Sequence, residues 1–142
     1  MAGIRVSTGA KRIEVNDDGD YITLNFSDNS FADRFFEMID RVQEKANASA
    51  EKAKEIDATT EENSEARARS AAKLFRTTHE EIAAEVDNFF GPGTCRKVFG
   101  DIVPGIELYD DFFQQLMPYF EEYGRERAQK LSKYRADRTG NV

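Results

Sequence analysis

The sequence predicts a mainly α-helical protein with a short N-terminal β-hairpin, a long antiparallel helical hairpin and a kinked C-terminal aromatic helix. Apolar residues alternate only near the start of the chain, whereas later ones recur at three- and four-residue spacing. Asp-Gly, Gly-Pro-Gly and Pro-Gly breaks separate these segments. At 142 residues, the chain has the length of a single domain, which we assign to residues 1–142.

Residues 12–26 have the pattern of a β-hairpin. Ile22, Leu24 and Phe26 fall on one face at a period of two. Between the strands, residues 16–20 read Asn-Asp-Asp-Gly-Asp, and the Asp-Gly pair favours the positive φ angles of a tight turn. Because two strands alone are marginally stable, the ribbon is expected to lie on helices or to join another chain.

Residues 29–90 are predicted to form the helical hairpin, with Asp28 or Ser30 as the cap of its first helix. Alanine and charged residues dominate from residue 45 to residue 73. Thr59-x-x-Glu62 has the spacing of a capping box, which places the tip of the hairpin near residues 57–60. The expected buried positions are Phe31, Phe35, Met38, Ile39 and Val42 in the first helix and Leu74, Phe75, Ile82, Val86 and Phe89 in the second.

Residues 94–135 are predicted to hold a short helix and the C-terminal helix, followed by a tail at residues 136–142. Gly91-Pro92-Gly93 ends the helical hairpin, since proline cannot continue a helix and glycine accepts the left-handed cap conformation. Thr94 is placed to cap the short helix. Pro118 is expected to kink or restart the last helix, because it lacks a backbone N–H.

Charge is distributed unevenly along the chain, whose net charge is −7. A global excess of negative charge repels phosphates and argues against a nucleic-acid partner. Residues 14–65 carry fifteen acids and five bases, whereas residues 124–142 carry six bases and two acids. Two interpretations remain open: a solvated surface with a basic helix end that complements the helix dipole, or a basic tail that meets the acidic arm of another subunit.

No segment predicts a membrane span or a secretory signal. The chain has no apolar run near 18 residues, and its first fifteen residues lack a continuous apolar core. The single cysteine excludes an internal disulfide and a cysteine-based zinc site. We therefore expect a cytoplasmic protein, with the host cell as its compartment and without a membrane partner.

No residue pattern predicts catalysis, a metal site or a cofactor site. His79-Glu80 begins like a zinc-protease motif, but the chain has no second histidine. The Asn16–Asp20 loop lacks the final glutamate of a calcium loop, and Gly91–Thr94 lacks the Gly-Lys-Ser/Thr ending of a phosphate-binding loop. Cys95 has no neighbouring histidine to activate it, and adjacent carboxylates such as Asp110-Asp111 point about 100° apart on a helix. The protein is expected not to be an enzyme.

Aromatic residues are concentrated between residues 86 and 123, which contain nine of the sixteen in the chain. The adjacent pairs Phe89-Phe90 and Phe112-Phe113 each place two rings on different faces of a helix. Either helices pack on two sides and bury both rings, or one ring of each pair stays exposed for a partner. The residues predicted to form a partner interface are Phe89, Phe90, Phe99, Phe112, Phe113, Phe120, Tyr123, Arg125, Arg127 and Lys130.

Several of these features occur together in one known family. The first helix opens with Phe-Ala-Asp-Arg-Phe-Phe-Glu at Phe31, residues 87–94 read Asp-Asn-Phe-Phe-Gly-Pro-Gly-Thr, and Val-Phe-Gly follows at 98–100. With the ribbon before them and the aromatic, basic helix after them, they resemble the small tail assembly chaperones of long-tailed bacteriophages and prophages of Gram-positive bacteria. The resemblance covers most of residues 13–134.

The resemblance implies a helical, self-associating protein without catalytic residues. Proteins of that family are thought to coat the long tape-measure protein before tail-tube subunits polymerise around it. Two other functions stay open from the residues alone. One is an acidic protein that inhibits a host nucleic-acid-binding protein by imitating phosphate charge. The other is a minor structural component of the virion, such as a head–tail joining protein.

Overall fold

A two-stranded β-ribbon leads into four helices, as the sequence pattern predicts. The computed structural model describes residues 2–138, with side chains described from residue 2 to residue 135. The described chain divides into two compact units, one ending at Ile106 and one beginning at Glu107. The elements are β1 Lys11–Glu14, β2 Tyr21–Leu24, α1 Phe31–Thr59, α2 Glu65–Phe90, α3 Thr94–Phe99 and α4 Ile106–Arg138.

The ribbon confirms the predicted period of two. β1 and β2 pair antiparallel, and Ile22, Leu24 and Phe26 are all buried. The side chain of Asn16 organises the loop between the strands: its Oδ1 accepts hydrogen bonds from the backbone N–H groups of Asp18 and Asp20 at 2.9 and 3.2 Å. Asparagine side chains commonly close turns through such hydrogen bonds to the backbone.

α1 and α2 form the predicted antiparallel hairpin. As the residue number rises along α1, the number of the contacted residue in α2 falls. The contacts that show this are the Arg41–Glu85 ion pair at 2.8 Å and the Thr78–Ser49 hydroxyl hydrogen bond at 2.9 Å. The Arg67–Thr60 hydrogen bond at 3.0 Å follows the same order just after α1 ends.

The tip of the hairpin lies at residues 60–64, slightly beyond the predicted 57–60. The guanidinium of Arg67 spans it, since its Nη2 donates to the backbone oxygens of Asp57 and Thr60, each at 2.7 Å. Arg67 therefore satisfies carbonyl groups that the end of a helix leaves without partners.

The predicted capping box at the tip is wrong. The hydroxyl of Thr59 donates to the Glu55 carbonyl at 2.8 Å, inside α1. The cap of α2 is Ser64, whose Oγ accepts a hydrogen bond from the Arg67 N–H at 3.1 Å. Thr59 belongs to the last turn of α1, and a helical residue cannot cap the next helix from there. Glu62 consequently has no capping role.

The core of the first unit lies near the ribbon end of the hairpin. Between Val42 and Ile82 no described residue is buried, which agrees with the alanine- and charge-rich sequence there. Phe75 is 62% exposed, so its predicted place in the buried stripe of α2 is wrong. Neighbouring residues lie about 100° apart on a helix, and Leu74 is the half-buried one of the two. The buried side chains of the two helices are Phe31, Phe35, Met38, Val42, Ile82 and Val86.

Glycines connect α2 to α3. Gly91 has φ +122° and Gly93 has φ +81°, values that side chains with a Cβ rarely adopt. Gly93, not Thr94, is the N-cap position of α3. Thr94 is the first helical residue, and its hydroxyl donates to the Gly91 carbonyl at 2.7 Å, so its predicted capping role is wrong.

The second unit consists of α4. Its 33 residues span about 50 Å at ~1.5 Å per residue. Pro118 lies inside the helix, so of the predicted kink or restart the restart does not occur: one missing backbone hydrogen bond does not end a helix of this length. The helix also includes residues 136–138 of the predicted tail, and the remainder of that tail, 139–142, lies outside the described residues.

Candidate protein-binding surface

Phe89 and Phe90 pack within the first unit at the end of α2. The Phe89 ring lies 5.1 Å from the Phe31 ring and 5.7 Å from the Phe35 ring, centroid to centroid. The Phe90 ring lies 6.3 Å from that of Phe35. The guanidinium carbon of Arg34 lies 5.7 Å from the centroid of Phe89. Both rings are half-buried, so each offers a partner only part of its surface.

Phe112 and Phe113 are both buried, each with 7% exposure, and their ring centroids are 5.7 Å apart. Of the two alternatives left open for this pair, the structure therefore shows the one in which both rings are buried. A phenylalanine ring contributes a large apolar area, so covering both rings is energetically favoured.

The other residues of the predicted interface are more accessible. Phe99 in α3 and the pair Phe120 and Tyr123 in α4 are half-buried. The three basic residues, Arg125, Arg127 and Lys130, are exposed. The Nη1 of Arg127 donates to the hydroxyl of Tyr123 at 2.8 Å, which holds a cation at the edge of an aromatic side chain.

The apolar stripe of α4 continues beyond its last buried residue. Its buried members are Tyr109, Phe112, Phe113 and Leu116. The same three- and four-residue spacing then leads through Phe120, Tyr123, Arg127, Leu131 and Tyr134. We name its apolar members, Phe120, Tyr123, Leu131 and Tyr134, the distal stripe.

No residue from 117 to 135 is buried. Leu131 is 43% exposed and Tyr134 is 58% exposed. Between residues 123 and 135 the chain has five bases and one acid, so basic groups surround the distal stripe. The structure therefore presents an amphipathic helical surface with apolar and cationic groups side by side.

The interface predicted from the sequence omitted several exposed apolar residues. Leu131 and Tyr134 continue the helical spacing of α4, so that spacing could have added them to the predicted interface. The segment before α4 has no regular structure over residues 101–105, so no periodicity there indicates which side chains are exposed. The additional exposed apolar side chains are Phe36, Phe75, Ile102, Val103, Ile106 and Leu108.

The two candidate reactive residues, His79 and Cys95, both belong to the first unit. His79 is half-buried on α2. Cys95 is buried, and its Sγ lies 4.0 Å from the Ala83 carbonyl oxygen. In the part of the chain that the structure describes, no three His, Cys, Asp or Glu residues are grouped to hold a metal ion. Within residues 2–138, none of the helices combines the length and apolar character that crossing a bilayer requires.

Comparison with known proteins adds one finding. Residues 18–141 match the model of a protein family described as a family of unknown function (DUF6673). The match includes β2 and all four helices. No curated protein and no solved structure matches the chain.

Proposed function

The chain belongs to the DUF6673 family of unknown function, and from its own surface we propose that it is a non-enzymatic tail assembly chaperone of long-tailed bacteriophages and prophages. In this proposal it self-associates and binds a long helical tape-measure protein during tail assembly in the host cytoplasm. No cofactor takes part. Two observations support the proposal: the resemblance of the sequence to that family, and the exposed apolar surface of α4.

The observation that carries the proposal is the distal stripe. Phe120 and Tyr123 are half-buried, and Leu131 and Tyr134 are exposed, whereas the apolar stripe in the earlier turns of the same helix is buried. Apolar surface that is exposed together, with polar groups around it, is typical of a protein-binding site. Burying this surface against a partner stabilises the complex by about 25 cal/mol per Å² of apolar area removed from water.

A helix is the partner that matches this surface best. From Phe120 to Tyr134 the stripe advances about 21 Å at ~1.5 Å per residue. A second helix laid along it brings side chains at positions i, i+3, i+4 and i+7 against the stripe. An extended strand, with its period of two, does not reproduce this spacing. The flanking Arg125, Arg127 and Lys130 favour a partner helix with acidic residues beside its apolar positions.

Calorimetric titration of the full chain with a helical fragment of the tape-measure protein encoded near its gene tests the proposal. Replacing Leu131→Ser and Tyr134→Ser together is expected to weaken the Kd at least about tenfold, since tenfold corresponds to only about 1.4 kcal/mol. Phe75→Ser is the matched control, because it removes a 62% exposed apolar ring from a different helix. Equal weakening by the control contradicts the assignment of the surface, and absence of binding by every such fragment contradicts the function.

Two further measurements separate this proposal from the other functions. An assembly chaperone is absent from finished particles, whereas a head–tail joining protein is present there, so mass spectrometry of purified virions distinguishes them. An acidic inhibitor of a nucleic-acid-binding protein depends on the acids of residues 14–65 and not on Leu131. Charge reversal of exposed acids in α1 therefore abolishes that activity and leaves the tape-measure affinity of the distal stripe in place.

A further inference from the structure

The outer edge of β2 is an open sheet edge. The N–H of Val15 donates to the carbonyl of Asp20 at 3.0 Å, so these two residues form a hydrogen-bonded pair next to the strands. Bonded and non-bonded pairs alternate along an antiparallel ladder. In the observed register Tyr21 and Thr23 are therefore non-bonded positions, and their backbone N–H and C=O groups point away from β1. The sheet has two strands in residues 2–138, so no third strand lies beside these groups there.

A groove runs along this edge. It has a volume of about 270 Å³, and it is lined on one side by Tyr21, Ile22 and Thr23. Phe90 and Pro92, from the end of α2, also line it. Asp20, Thr94 and Lys97 line it as well, so its lining is mixed. An extended segment in this groove pairs its backbone with Tyr21 and Thr23 and places alternate side chains near the apolar groups of Phe90 and Pro92.

We propose that this edge receives residues 2–10 of a second copy of the chain as a third β-strand. These residues have no regular structure. Ile4 and Val6 are 93% and 80% exposed, more than any other large apolar side chain in the described chain. They are two residues apart and β-branched, so in a strand both side chains lie on one face, as the groove requires.

Charge complementarity supports a second copy in a defined direction. Residues 2–13 contain three bases and no acid, whereas the loop at residues 16–20 contains three acids and no base. A segment that pairs antiparallel with β2 runs towards this loop. It brings Lys11 and Arg12 of the second copy towards the acids of the loop.

The segment of the same chain does not fit in that direction. Residues 2–10 lead directly into β1, which lies on the other side of β2 from the open edge. To reach the open edge of their own chain they have to fold back across β2, and they then run parallel to it. Residues 7–10 then have to cross two strand spacings, about 10 Å. A second copy pairs antiparallel, the more stable arrangement. This inference uses a different surface from the distal stripe, so each is tested without the other.

Hydrogen exchange of the full chain at increasing protein concentration tests the inference. When the concentration of free chain is ten times the Kd of self-association, exchange of the Tyr21 and Thr23 amides is expected to be about tenfold slower than at high dilution, because only about a tenth of the edges then stay open. In the Ile4→Ser, Val6→Ser variant this slowing is expected to disappear. These side chains are exposed in the single chain, so the variant leaves its core intact.

Phe75→Ser is the control that removes a similar apolar side chain elsewhere, and it is expected to retain the slowing. Three results overturn the inference. Rapid exchange at every concentration shows an open edge, even if light scattering detects oligomers formed through another surface. Slow exchange at every concentration shows that the chain covers its own edge. Slowing that survives in the double variant shows that another segment occupies the groove.

Discussion

The carboxylate of Asp87 accepts a hydrogen bond from the backbone N–H of Cys95 at 2.9 Å, so a side chain near the end of α2 caps the start of α3. The residue in the N-cap position, Gly93, has no side chain to do this. The backbone carbonyl of Asp87 also accepts from the Gly91 N–H at 2.8 Å. One residue thus serves both the end of α2 and the beginning of α3, which explains the spacing of Asp87, Gly91 and Gly93 in the sequence.

Asp87→Ala is expected to lower the free energy of unfolding by about 1 kcal/mol, as for other lost helix caps. Asp87→Asn retains an oxygen acceptor and is expected to cost less. Urea unfolding followed by circular dichroism measures both. Asp110→Ala removes an exposed aspartate of α4 and is expected to change little; a similar loss in this control contradicts the capping role.

The tip of the helical hairpin provides a second comparison. Ser64→Ala removes the hydroxyl that caps α2 and is expected to cost about 1 kcal/mol of unfolding free energy. Glu62→Ala is expected to have almost no effect, because its predicted capping box does not form. If the two variants lose equal stability in the same urea series, the assignment of Ser64 as the cap is wrong.

Phe35 and Phe75, both in the first unit, differ in burial and therefore in the expected cost of replacing them. Phe35 is fully buried and its ring lies near those of Phe89 and Phe90, so Phe35→Ala is expected to cost about 3–5 kcal/mol. Phe75→Ala is expected to cost far less, because the Phe75 ring is 62% exposed. Thermal unfolding of the two variants side by side measures the difference. A larger loss for Phe75 contradicts the described packing of α2.

The free energy of unfolding is expected to depend on pH through the carboxylate of Asp28, which lies just before α1. Ser30 donates to its Oδ1 through Oγ at 2.6 Å and through its backbone N–H at 2.9 Å, and Arg34 Nη2 lies 3.0 Å from Oδ2. The Ser30 hydroxyl bond, then its backbone bond, and more weakly Arg34, lower the pKa of Asp28 below the ordinary value of 3.8. The folded chain therefore favours the charged form of this group.

Ser30→Ala is expected to raise the pKa of Asp28 back towards 3.8, as measured by NMR titration of its carboxyl carbon. Because the pKa of the folded state is the depressed one, the stabilisation is present above the unfolded value and is lost as pH falls through the folded value. The difference in unfolding free energy between wild type and Ser30→Ala that arises from this charge should therefore shrink at low pH. Ser7→Ala is the control, and an unchanged Asp28 titration in Ser30→Ala contradicts the assignment.

Local patterns in the sequence predicted the elements of this fold well. The alternation of Ile22, Leu24 and Phe26 predicted the ribbon, and the spacing of Phe31, Phe35 and Met38 predicted α1. Both patterns record which side of an element faces the interior, and each is set by the geometry of a single strand or helix. The scarcity of large apolar residues between residues 45 and 73, where Ile56 is the single one, likewise indicated a segment with no buried side chains.

Only the tertiary structure decided how far each pair of adjacent aromatic side chains is covered. The pairs Phe89-Phe90 and Phe112-Phe113 look alike in the sequence, yet the first is half-buried and the second is buried. The capping of α3 by Asp87 across eight residues also depends on how the chain turns at Gly91 and Gly93. Periodicity is a property of one segment, whereas burial and capping depend on neighbours that folding brings together, so the amino-acid pattern determined the elements and the packing determined the surface.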